Sequence, residues 1–133
     1  TRSTHAPAIP TGGSFQRMSD WVDRGGSITA LFDAPHFGQR KTMPIEALGQ
    51  TLYLPDGLIR FAEAKNLPVY LYTTSLSEDG PQRRMFVRGP FSPAKREALI
   101  HEISCFMHEE IVRDPAAWHC WRFLDSFTLP PQI

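Results

Sequence analysis

Little in this chain points to a stapled, charged or membrane-embedded protein. Two cysteines, Cys105 and Cys120, are too few for a disulfide scaffold, so a reduced, intracellular setting is the expectation. Charge of one sign is also lacking: 14 Lys and Arg against 14 Asp and Glu give a formal net charge of zero. Nucleic acid and anionic membrane surfaces both reward a basic excess, so no nucleic-acid partner is expected. No run approaches the ~18 apolar residues of a membrane span, and no charged-then-apolar signal segment opens the chain. Gly12-Gly13 and Gly25-Gly26 lack the strand–glycine–helix setting of a phosphate-binding loop. Internal repeats are missing too.

What is present is ordinary in composition. With 133 residues, 41% hydrophobic and 21% charged, the chain suits one compact domain and not two. Prolines number 12 and gather at turns and at both ends. The first residue is Thr, which suggests a piece of a longer chain or a processed one.

Residues 1–13 read as a flexible tail or linker, and residues 14–133 as a single α/β domain. Ser14 is a candidate N-cap for a helix carrying Phe15, Met18 and Val22 at helical spacing, which Gly25-Gly26 stops. The apolar run from Ser27 to Phe32, ending at Asp33, suits a strand covered on both faces. A weaker strand spans residues 41–48, where Pro44 demotes it to an edge, and residues 50–54 are extended. Asp56 caps a second helix with Leu58, Phe61 and Ala62 on its inner face, closed by Asn66. Val69 to Thr73 follows as a strand. Strand, helix and strand in this order predict a crossover with parallel strands. Glu78-Asp79-Gly80 turns the chain into a hairpin partner at residues 84–88, with Met85 and Val87 on one side. Ser92 and Pro93 open the longest helix, which runs to Arg113 and stops at Asp114-Pro115. The expected fold class is therefore α/β: a partial mixed, mostly parallel sheet with one βαβ crossover, a hairpin and a long C-terminal helix.

Several side chains could carry chemistry. On the long helix Leu99, Ile100, Ile103, Phe106, Met107 and Ile111 form one apolar stripe, with Glu110 near its middle. A carboxylate there needs a partner, and Arg122 of the aromatic tail is the candidate for a structural ion pair with Glu110. Otherwise Glu110 is a functional carboxylate. His101, Cys105 and His108 share the opposite face, spaced four and three residues apart. That set could hold a soft metal ion, but no second ligand cluster exists, so no metal and no cofactor are expected. Asp33 directly follows an apolar run, and ligands of open α/β sheets bind beyond strand ends. Asp33, His36 and Arg40 are thus candidate substrate-binding residues, unless Asp33 only caps its turn.

The order of the blocks adds a further reading. Trp21-Val22-Asp23-Arg24-Gly25-Gly26 precedes residues 28–33. Then come Leu54-Pro55-Asp56-Gly57-Leu58-Ile59-Arg60-Phe61-Ala62-Glu63 and Leu67-Pro68-Val69-Tyr70-Leu71. Ile111-Val112-Arg113-Asp114-Pro115-Ala116-Ala117-Trp118 closes the series. In this order the chain resembles the carboxyl-terminal half of the bacterial lipid A (lauroyl-type) acyltransferases, within the lysophospholipid acyltransferase superfamily. The resemblance implies transfer of an acyl chain from a thioester of acyl-carrier protein or coenzyme A to a lipid, sugar or amine acceptor. It implies a catalytic His followed, after four residues, by Asp or Glu, with the His as general base. Five residues on from His5, His36, His101, His108 and His119 stand Pro10, Lys41, Phe106, Arg113 and Leu124. No catalytic residue of that kind is therefore in this chain, and Leu71 stands where the family usually has proline. The expected partner is a missing N-terminal catalytic portion, and self-association through open sheet edges is a second expectation. The resemblance places the full-length protein in the cytoplasm or at the cytoplasmic face of the inner membrane. The alternative is a non-catalytic binding or interaction domain on the same scaffold. A metal- or thiol-dependent enzyme using His101, Cys105 and His108 is the third class.

Overall fold

A computed structural model describes residues 8–9, 13–35, 41–76 and 80–130. Most of the expected tail lies outside them, as do Glu78 and Asp79 of the expected turn. Packing divides the chain into two compact units, Thr1–Leu31 and Phe32–Ile133.

The first unit carries helix α1 (Ser14–Asp23). Ser14 is its first residue and Gly13, with φ 64, is its N-cap, so the expected Ser14 cap is displaced by one position. Trp21 holds the far end: its indole N–H donates to the Ser27 carbonyl at 2.9 Å. The ring lies so close over Gly26 that a Cβ there would stand 2.1 Å from Nε1. Any larger residue at Gly26 would have to displace the Trp21 ring. The strand expected from Ser27 to Phe32 does not form: residues 26–33 have no ladder partner among the described residues. Leu31 is 77% exposed, where a strand covered on both faces would bury it.

The second unit opens with β1 (Thr42–Ala47) and β2 (Gln50–Pro55), an antiparallel pair with Met43 opposite Leu54 and Ile45 opposite Leu52. Leu48 and Gly49 join them with φ of 56 and 73, the two positive angles of a tight hairpin turn. Alternation buries Met43, Ile45, Ala47, Leu52 and Leu54 on one face. Pro44 points outward in this two-stranded ladder, an edge position that tolerates proline.

Helix α2 (Gly57–Lys65) buries Ile59, Phe61 and Ala62, with Leu58 half-buried, and ends at Asn66 in the left-handed conformation. It leads to β3 (Val69–Leu76), which pairs antiparallel with β4 (Arg83–Phe91). The mostly parallel sheet and its βαβ crossover are therefore corrected. The chain is mixed α and β, but β1–β2 and β3–β4 form separate two-stranded antiparallel sheets. Each hairpin satisfies its ladder through a local turn, whereas a parallel pair would need β3 beside β1 or β2.

Helix α3 (Arg96–Arg113) begins later than Ser92-Pro93 foretells, because the Lys95 N–H closes a turn on the Ser92 carbonyl at 3.3 Å. Its apolar stripe is as expected. Leu99, Ile103, Phe106, Met107 and Ile111 join Met43, Ile45, Leu52 and Leu54 in one core. Each such side chain contributes roughly 1.5–3 kcal/mol on burial, and this stripe, more than helix propensity, stabilises α3. After a 3₁₀ turn at Pro115–Ala117 and another at Trp121–Phe123 comes α4 (Leu124–Thr128). Its Phe127 is fully buried, and the Trp118 ring stands edge-on to Trp121 at 4.8 Å. Among the described residues no helix is long and apolar enough to cross a membrane.

Candidate functional site

Asp33 is half-buried, and its carbonyl accepts the Cys120 thiol at 3.3 Å. Burial pushes that thiol's pKa up, and the Asp33 charge pushes the same way. With no strand before it, Asp33 does not stand at a strand end. His36 and Arg40 lie outside the described residues.

Glu110 is 15% exposed and pairs with Arg113 at 2.8 Å, one turn along the same helix. Arg113 also lies over the Phe86 ring at 5.1 Å. The expected partner, Arg122, instead stacks on the ring of its neighbour Phe123 at 4.5 Å. A pair within one helix needs no ordering of the tail, which is the physical reason the local partner wins.

His101, Cys105 and His108 do share one face of α3. They border a groove of about 370 Å³ whose other side is β1, through Pro44 and Glu46. Cys105 Sγ lies 3.6 Å from His101 Nε2. His108 is turned aside: its Nδ1 accepts the Leu48 N–H at 3.1 Å, so its neutral ring carries the proton on Nε2. Ser104 ties the floor together, accepting the Glu46 N–H at 3.3 Å and donating to the Ile100 carbonyl at 2.9 Å. Among the described residues no group of three or more His, Cys, Asp and Glu is placed to hold a metal ion.

Two further arrangements stand out: spacing foretells nothing of the first, and of the second it foretells the hairpin with Met85 and Val87 on one side, but not that this side stays exposed. The first centres on Asp56, which is 5% exposed and makes no side-chain cap to α2. Arg96, from the first turn of α3, donates to Asp56 Oδ2 at 3.0 Å and to both Glu63 oxygens at 2.9 Å. That guanidinium ties both ends of α2 to the start of α3. Asp56 Oδ1 has no hydrogen-bond partner among the described residues. The partners lie 33 and 40 residues apart in sequence, beyond any spacing rule.

The second is the β3–β4 hairpin, whose faces differ. One presents Leu71, Phe86 and Arg88 toward α3: Leu71 joins the core, Arg88 lies over the Phe106 ring at 5.4 Å, and Arg88 also pairs with Glu109. Register puts Tyr72 opposite Val87 and Thr74 opposite Met85 on the other face. There Tyr70 is 55%, Leu76 67%, Met85 62% and Val87 55% exposed. Neither edge has a third strand among the described residues. Alternation within residues 69–76 carries this signal, but only if the strand is known to pack on one side.

Compared with known proteins, the chain matches no family model, no curated protein and no solved structure.

Proposed function

We propose that this chain is the carboxyl-terminal, scaffold-bearing part of an acyltransferase-like protein. Its chemistry would be transfer of an acyl chain from a thioester of acyl-carrier protein or coenzyme A to a lipid, sugar or amine hydroxyl or amino group. The general base, a histidine oriented by an acidic residue, would come from a separate portion, acting in the cytoplasm or at the cytoplasmic face of the inner membrane. What supports this reading is the β3–β4 hairpin, with one face on α3 and the other apolar and uncovered. Contiguous exposed apolar surface marks an interaction site, and two open edges are what a larger sheet would continue. The block order from residue 15 to residue 118 supplies the acyl-transfer chemistry.

The missing His-x-x-x-x-Asp/Glu block favours a second reading, a non-catalytic binding or interaction domain on the same scaffold. One experiment separates them. Native gene product, identified by intact mass, is given an acyl thioester with lipid, sugar or amine acceptors, and free thiol is followed. The acyltransferase reading expects many turnovers from the native product and no more than one equivalent of thiol from residues 1–133 alone. A native product that never turns over would leave the binding domain.

A further inference from the structure

The two cysteines stand in opposite surroundings. Cys120 is 7% exposed and engaged with the Asp33 carbonyl. Cys105 is half-buried, opens on the groove between β1 and α3, and has the His101 imidazole 3.6 Å from its sulfur. Residues four apart on one helix are neighbours, so a rigid element fixes the pair. A thiol becomes a nucleophile when a positioned base takes its proton, and Nε2 can do so in the tautomer that keeps the proton on Nδ1.

The other titratable groups bordering the groove are Glu46 from β1 and Glu97 and His108 from α3. Thr51 donates to the Glu46 carboxylate at 2.6 Å, and the Leu48 N–H occupies His108 Nδ1. Those two contacts engage Glu46 and His108, and of the groove's titratable groups it is His101 whose ring nitrogen stands 3.6 Å from the sulfur. Pro44 and Ile100 supply an apolar side to this open groove.

We propose that Cys105 is a covalent acyl acceptor, its thiol taking the acyl group of a thioester that enters this groove. The donor class rests on the acyltransferase reading above; the site itself rests on the geometry. His101 Nε2 removes the Sγ proton, Sγ bonds to the thioester carbonyl carbon, and the donor's carbon–sulfur bond breaks. The leaving thiolate takes the proton back from His101. The products are S-acyl-Cys105 and one free thiol, with no oxidant or reductant involved. Pro44 and Ile100 flank the first methylenes of the chain.

The test uses residues 1–133 with octanoyl-coenzyme A, followed by intact mass and peptide mapping. One octanoyl group is expected on Cys105, released by neutral hydroxylamine, with Cys120 unmodified. Cys105→Ser should abolish the adduct, and His101→Gln should slow it about tenfold or more, with an unchanged melting temperature showing the fold intact. No adduct on Cys105, equal labelling of Cys120, or an unaltered rate in His101→Gln would each overturn the assignment. Multiple-turnover thiol release by the native product is measured in parallel. Continued release without the adduct removes this site alone; an adduct without turnover supports the site and removes the acyltransferase reading.

Discussion

Replacing Arg96 with methionine keeps the apolar stem and deletes the guanidinium that joins Asp56 and Glu63. The Asp56 side chain is 7% exposed, Glu63 29% and Arg96 34%. Breaking a fully buried pair from one side costs about 3–5 kcal/mol. Arg96 itself is one-third open to water, so the Asp56 arm is better placed at about 1.5–3 kcal/mol, the range of hydrogen bonds to charged groups. The more exposed Glu63 arm adds about 0.5–1 kcal/mol. Arg96→Met should therefore lose about 3 kcal/mol, and Glu63→Gln no more than about 1 kcal/mol. Urea unfolding at pH 7 reads this directly. With a slope of about 1–3 kcal/mol per molar, the midpoint should fall by roughly 1–3 M with the slope unchanged. Most of the loss comes from a buried carboxylate left without its cation, so adding Asp56→Asn to Arg96→Met should recover part of it. A loss within about 0.5 kcal/mol, as for ordinary surface changes, or a double variant weaker than Arg96→Met, would refute the reasoning.

Three further outcomes follow from the same packing. Phe127→Ala should cost about 3–5 kcal/mol, since the ring is fully buried at 5.7 Å from Trp118; calorimetry showing under about 1 kcal/mol would mean the site collapses or is not packed. Ser104→Ala removes the acceptor of the Glu46 N–H and should cost about 1 kcal/mol, with faster hydrogen exchange at Glu46 than in the parent; unchanged protection would discount that bond. Arg88, by its hydrogen bond above all, holds the Glu109 carboxyl below the ordinary glutamate value. A lowered folded value gives stability that is present above the unfolded pKa of about 4.3 and fades as pH falls through the folded one. Arg88→Gln should flatten that acid limb, and identical acid titrations of parent and variant would exclude it.

What the sequence by itself determined is local. Helical spacing set the stripe of α3, Gly25-Gly26 and Asn66 set the ends of α1 and α2, and Pro68 set the start of β3. These depend on neighbours within a turn or two, so periodicity and punctuation suffice. It also placed His101, Cys105 and His108 on one face, because one helix carries all three. Tertiary structure decided which strands pair: β2, α2 and β3 are consistent with a crossover or with two hairpins, and β2 and β3 each pair with the strand across a local turn instead of with each other. It decided that the run from Ser27 to Phe32 has no ladder. It also turned Asp56 from a helix cap into the partner of Arg96, 40 residues away, because a charged group finds such a counter-charge only once the chain is packed, and no spacing encodes that. The Glu110–Arg113 pair, three residues apart on one helix, is by contrast a local one that spacing does encode.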